Sequence, residues 1–152
     1  MMGDIAKEKI KYVRNFTFDD VNTIKIDPMM PYHDKRKPFV NKWFSSSDGY
    51  DVNAFIKLCS KKNIDRLEKE RGACVVYTHF ASGFVNENGE LNDDFKKCID
   101  YISTRNGWFV PCGQLLDYLE GNQTSRVGRF YLLKLNAKWL IDRCKKFITY
   151  GE

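Results

Sequence analysis

The sequence predicts an α/β fold: a βαβα unit with parallel strands, followed by a long C-terminal helix. Three observations carry this expectation. The apolar run Ala73-Cys74-Val75-Val76-Tyr77, preceded by Gly72, has the length and the β-branched and aromatic content of a buried strand. Phe95, Cys98, Ile99 and Ile102 recur at i, i+3, i+4 and i+7 behind Asn92, a good N-cap, with Asp93 and Asp94 in the first turn. A second apolar run, Trp108-Phe109-Val110, closes at Pro111 and leads into the helical pattern Gln114-Leu115-Leu116-Asp117-Tyr118-Leu119. Strand, helix, strand, helix in that order makes a parallel sheet with right-handed crossovers, whose ligands bind beyond the carboxyl ends of the strands.

In chain order, residues 1–48 read as an irregular N-terminal segment of short strands and loops, and residues 49–152 as the α/β unit. Asn22 to Ile26 suits a short strand, after which Asp27-Pro28-Met29-Met30-Pro31 and Lys37-Pro38 hold the chain extended. Ser45-Ser46-Ser47-Asp48-Gly49 reads as a linker into a helix whose apolar positions are Val52, Phe55, Ile56 and Cys59. Asn63 to Glu68 adds a further helical turn or two, with Lys57, Lys61 and Lys62 as a wet face. Beyond the Ala73–Tyr77 strand, Ala81-Ser82-Gly83 is a flexible exit and Asn88-Gly89 a turn; Asn106-Gly107 ends the helix begun at Asn92.

Arg126 to Phe147 reads as the longest helix, although Gly128 weakens its start by roughly 1 kcal/mol against alanine. Its stripe of Leu133, Ala137, Leu140, Cys144, Phe147 and Ile148 must pack on something. A basic amphipathic helix at a membrane surface, using Lys134, Lys138, Arg143, Lys145 and Lys146, is the alternative. Core packing is preferred, because bulky residues run the length of the stripe and Asp142 interrupts the cations.

With 152 residues and 43% hydrophobic content the chain can bury a sizeable core, and a net charge of +5 with both signs interspersed argues for solubility more than for a polyanionic ligand. Cys59, Cys74, Cys98, Cys112 and Cys144 are widely spaced without a Cys-x-x-Cys; Cys74, Cys98 and Cys144 fall on apolar faces, and free buried thiols in a reducing compartment are expected. The start MMGDIAKEKIKYV lacks an apolar core and no apolar run approaches a membrane span, so a cytoplasmic location and no membrane partner are expected. No Gly-rich phosphate loop, Gly-x-Ser-x-Gly elbow, His-Glu-x-x-His helix or cysteine knuckle is present. Nucleotide hydrolysis, serine-hydrolase chemistry and thiol-ligated zinc are disfavoured.

The candidate catalytic residue is His79, delivered by the Ala73–Tyr77 strand into the small-residue loop that follows. The only other histidine is His33. A histidine suits acid–base work because its ordinary pKa lies near working pH; the simpler reading is that it only bonds a neighbouring backbone group.

The stretch from Gly72 to Leu119 resembles the last part of the catalytic domain of polysaccharide-deacetylase-like proteins of the NodB type. Tyr131 to Tyr150, with Leu135 and Trp139-Leu140, is similar to a helix that follows that domain in some members. The resemblance covers roughly half the chain. It implies a distorted (β/α) barrel, present here as a partial barrel-like unit, a divalent, zinc-like metal, and removal of acetyl groups from an amino-sugar carbohydrate substrate. By the same resemblance His79 would protonate the departing amine or stabilise the tetrahedral intermediate.

In that family a Thr-Phe-Asp-Asp-Gly motif supplies a base and a metal ligand, and a His-x-x-x-His pair completes the site. Thr17-Phe18-Asp19-Asp20-Val21 matches four letters of the first motif, with Val21 in the glycine's place. Asp20 and Thr78 are 58 positions apart, too few for the barrel strands expected between the motifs, which leaves a coincidence or the remnant of a deletion. No His-x-x-x-His occurs, and two histidines 46 positions apart cannot complete a His-His-Asp site in one copy. The expectation is therefore a fragment or degenerate deacetylase-like hydrolase, inactive alone, with an incomplete metal ligand set. A partial barrel leaves a sheet edge bare, so a homodimer is a reasonable expectation.

A second reading is a small binding module. Tyr32-His33-Asp34-Lys35-Arg36-Lys37, with Phe39, Trp43 and Phe44, mixes cations and aromatics across residues 32–44 as nucleic-acid or anionic-sugar surfaces do. A solvated loop with aromatic anchors in the core is the plainer account, and nucleic acid is not the expected partner, since no RNA-binding signature accompanies the cluster.

Overall fold

The structure, a computed structural model, describes residues 2–122 and 127–150. Three strands, β1 (Tyr12–Phe18), β2 (Lys42–Asp48) and β3 (Val76–Tyr77), form one open parallel sheet in the order β1-β2-β3. Tyr12 stands opposite Lys42, Phe18 opposite Ser47, and Ser47 opposite Val76, with an irregularity between Arg14 and Thr17. Helix α1 (Met2–Lys9) precedes the sheet. Helix α2 (Thr23–Ile26) lies between β1 and β2, and α3 (Val52–Leu58) and α4 (Lys61–Lys69) lie between β2 and β3. Helices α5 (Asp93–Ser103), α6 (Cys112–Gly121) and α7 (Arg129–Tyr150) complete the described chain.

Apolar side chains pack in two clusters. Val52, Phe55, Leu58, Ile64, Phe84 and Cys98 tie α3, α4 and α5 together, and Val76 packs against them. Phe18, Met30, Tyr32, Val75, Leu132 and Leu135 form the second cluster, which Leu115 of α6 and Trp139 of α7 flank. Neighbouring Val75 and Val76 thus enter different clusters, as the alternation of side chains along an extended chain requires.

The expected α/β class and the long C-terminal helix are present; helix α5 follows its Asn92 cap, whose side chain accepts from the Asp94 and Phe95 amides at 3.0 Å. Several local expectations need correction. Asn22–Ile26 is a helix, because the Asn22 side chain accepts from the Lys25 amide and caps it. The serine run is no linker. Ser45, Ser46 and Ser47 are fully buried in β2, where Ser45 donates to Asp27 at 2.6 Å and Ser47 shares a 2.7 Å bond with Thr23 Oγ1. Trp108-Phe109-Val110 forms no strand; Trp108 packs edge-on to Tyr118 at 5.4 Å, and both it and Phe109 are exposed. The first two strands are Tyr12–Phe18, within the segment expected to hold short strands and loops, and Lys42–Asp48, which contains the serine run.

In α7, Leu132, Leu135 and Trp139 face the sheet, while the stripe expected to pack, Leu133, Ala137, Leu140, Cys144, Phe147 and Ile148, is turned outward. All five cysteines are free; Cys59 and Cys98 are buried, but Cys112 and Cys144 are exposed, so Cys144 follows the outward stripe. Arg126 lies outside the described residues. No helix among them is long and apolar enough to cross a membrane.

A candidate site at the carboxyl ends of the strands

The parallel strands end on one side of the molecule and bring four functional groups there. Chain following β1 carries Asp19 and Asp20, β2 ends at Asp48, and two residues after β3 comes His79. The last part of α7 covers this edge with Asp142, Arg143 and Lys146.

Lys146 Nζ lies 2.7 Å from Asp19 Oδ1 and also bonds Asp48 Oδ2, so one ammonium joins the ends of β1 and β2. Arg143 Nη2 lies 3.3 Å from Asp48 Oδ2 and donates to the Thr17 carbonyl, also at 3.3 Å. The Asp19 amide donates to Asp142 Oδ1 at 3.3 Å. Burial pulls the Lys146 ammonium down, but the hydrogen bonds it donates to Asp19 and Asp48 outweigh that and hold its pKa above the ordinary lysine range. Burial pushes the Asp142 carboxyl up. A cleft of about 330 Å³ opens over this cluster, lined by Asp19, Asp48, Tyr50, Asp51, Asn53 and Lys146 among others.

Polar atoms at this edge are only partly used. Asp48 Oδ1, Arg143 Nε and Thr78 Oγ1 are buried and make no hydrogen bond; the other such side-chain atom found among the described residues is Trp43 Nε1. Buried polar groups are nearly always satisfied, which sets these atoms apart from the rest of the described side chains.

His79 is exposed on the rim. Its amide donates to the Tyr50 carbonyl at 3.0 Å, its ring stands edge-on to Tyr77 at 4.8 Å, and its Nε2 bonds the Tyr77 hydroxyl. The Arg14 guanidinium lies 3.5 Å from the Tyr77 ring centroid, which fixes the tyrosine from behind. The following loop is anchored by Phe84, which is almost fully buried against Phe55 and Phe95.

These residues do not fit a divalent metal. Asp20 accepts both guanidinium nitrogens of Arg66, at 3.0 and 3.2 Å, and the Asn22 amide at 2.8 Å. Asp19 and Asp48 already share a cation, Lys146. His33 sits at the opposite end of the sheet, where its Nδ1 lies 3.1 Å from the Val40 and Asn41 carbonyls before β2 begins. Among the described residues no three His, Cys, Asp or Glu side chains are grouped to hold a metal ion.

Part of the basic aromatic segment is used internally, although Phe39 is 58% exposed. Tyr32 is buried, Asp34 takes the Arg36 guanidinium in two hydrogen bonds of 3.0 and 2.8 Å, and Lys37 lies over the Trp43 ring at 4.6 Å. Sequence reasoning singled out His79 but missed Asp48 and the roles of Arg143 and Lys146. Asp48 was hidden in the serine run; the signal available for α7 was that Lys146 stands three residues after Arg143 and four after Asp142, within reach of both.

Compared with protein-family models, with curated proteins and with solved structures, the chain matches none.

Proposed function

We propose that this chain is a partial, degenerate polysaccharide-deacetylase-like module that keeps a sugar-binding cleft and does not turn its ligand over alone. One observation carries the reading: Asp19, Asp20 and His79, the positions at which the chain matches the family's motifs, follow strands of one parallel sheet at the same carboxyl edge. The spacing that made the Thr-Phe-Asp-Asp match look foreign is consistent with a sheet in which only β2 stands between them. In this reading the open sheet is what remains of a distorted (β/α) barrel.

The chemistry of the edge supports ligand holding over turnover. Sugar hydroxyls both donate and accept, which suits the carboxylates, the Asn53 amide and the Lys146 ammonium that line the cleft. Acetyl removal needs a base that delivers water to the amide carbonyl and an acid that protonates the leaving amine. His79, on the rim and oriented by Tyr77, can supply the acid. Asp19 is neutralised by Lys146 and Asp20 by Arg66, so neither is free to act as base. Sequestration of both aspartates is the departure from a working hydrolase.

Titration of the chain with oligomers of N-acetylglucosamine, with acetate release followed in the presence and absence of added zinc, tests the reading. Saturable binding without acetate release is expected, and Asn53→Ala weakens it roughly fivefold by removing one partner. Acetate release abolished by His79→Ala would instead make the chain a working enzyme. Absence of any binding would remove the carbohydrate assignment.

A further inference from the structure

The outward face of α7 has a pattern that its inward face does not need. Phe130, Leu133, Ala137, Leu140, Cys144 and Phe147 are exposed and follow one another at alternating steps of three and four, the spacing of a two-helix seam, with Ile141 and Ile148 beside it. We propose that this face is a homodimer interface in which α7 pairs antiparallel with α7 of a second copy. The inference is independent of the sugar reading.

Three features select that occupant. The first is area: Phe130, Leu133, Leu140, Ile141, Phe147 and Ile148 are each 56–83% exposed. At roughly 100–150 Å² apiece they offer about 700 Å² per copy, close to the per-partner share of a standard stable interface. The second is size. Antiparallel pairing sets the first position of each three-four step against the second in the partner, which places Ala137 against the partner's Leu140 and Leu133 against the partner's Cys144, small against large in both layers. Phe130 and Phe147 close the two ends, and a two-fold axis repeats every contact. Parallel pairing would put Ala137 on the partner's Ala137 and Cys144 on the partner's Cys144, leaving gaps, and Phe130 on the partner's Phe130.

The third is charge. In the antiparallel arrangement Lys134 flanks the partner's Ile148, and Arg143 is held inward by Asp48, so no two cations oppose one another. A parallel arrangement sets Lys134 against the partner's Arg129, a like-charge pair. The same few cations make a weak membrane-binding helix, since Lys138 donates to the Ile26 carbonyl at 2.8 Å and Arg143 and Lys146 are turned to Asp48.

Light scattering on the eluting full chain at micromolar concentration tests the pairing, together with oxidation of a Leu133→Cys variant in a Cys112→Ser background. A dimer is expected that Leu140→Asp converts to monomer with an unchanged helical spectrum. The Leu133→Cys chain is expected to form a disulfide-linked dimer through Cys144, as mass spectrometry of the cross-linked peptide reads directly. A monomeric wild-type chain, or a dimer that survives Leu140→Asp, overturns the proposal. A direct Cys144-to-Cys144 cross-link overturns the antiparallel sense. Binding of the monomer to vesicles containing phosphatidylserine, lost in Leu140→Asp, would assign the face to a membrane instead.

Discussion

Lys146 of the last helix reaches 2.7 Å from Asp19, at the end of the first strand, and its ammonium also bonds Asp48, at the end of the second. One side chain thereby ties two strand ends together and fixes α7 on the sheet edge. Asp48 is 8% exposed, and Lys146 and Arg143 are the cations that face it.

Lys146→Met therefore leaves a buried carboxylate with only Arg143 beside it, and a loss of about 2–4 kcal/mol in unfolding free energy is expected. Denaturant melts of Lys146→Met, Asp48→Asn and the double variant check the origin of the loss. The double variant should recover part of it; additive losses would show that Lys146 acts through packing of its stem.

Asp27 gives the chain a pH-dependent component of the opposite sense to a surface ion pair. Burial between β2 and α7 raises its pKa, while hydrogen bonds from Ser45 and Tyr131 pull it down without cancelling the effect. The folded state therefore holds this proton more tightly than the unfolded chain. Stability contributed by Asp27 is fully present below the ordinary aspartate pKa and declines as pH rises through the raised value. Stability profiles of wild type and Asp27→Asn, subtracted from one another, should show that decline upward from about pH 4. A flat difference would mean that the carboxyl is charged in the fold at no cost.

Phe84 connects the histidine loop to the core. It is buried with Phe55 and Phe95 edge-on at 5.7 and 4.9 Å. Phe84→Ala should cost about 3–5 kcal/mol. Hydrogen exchange should then speed first in residues 80–92, including the Asn92 amide that bonds the Phe84 carbonyl. Uniform acceleration would place Phe84 in the general core instead of at the loop's anchor.

Gly83 sits one residue earlier with φ +81°, and a Cβ there would lie 2.9 Å from Val52 Cγ1. Gly83→Ala combines a left-handed backbone with that clash, and a loss of about 1–2 kcal/mol in a thermal melt is expected. Gly89, at φ +80° with open space around it, isolates the backbone part: its alanine variant should lose about 1 kcal/mol.

Much of the helical architecture was legible because caps and 3.6-residue spacing are local: Asn92 capping α5, and Val52, Phe55 and Cys59 of the α3 region meeting in one cluster. The strands were harder. Tyr12–Phe18 carries strand-forming residues, but its partner Lys42–Asp48 ends in three serines whose burial is made possible by Thr23, Asp27 and the Phe16 carbonyl, groups distant in sequence. No hydrophobic alternation announces such a strand. Trp108-Phe109-Val110 had the composition without the neighbour; among the described residues no strand pairs with it. In α7 two apolar faces coexist, and the sequence alone favoured the outward one because its spacing is more regular. His79 could be placed from its strand, whereas Asp48 and Lys146 meet across 98 residues of chain and only the folded sheet brings them together.

Amide chemical-shift mapping during titration with an N-acetylglucosamine tetramer shows whether the strand-end edge is the functional site. Saturating shifts at Tyr50, Asn53 and His79 are expected, reduced in Asn53→Ala. Shifts confined to residues 32–44, or none with the sugar while an RNA oligomer moves Lys35 and Arg36, would contradict that assignment.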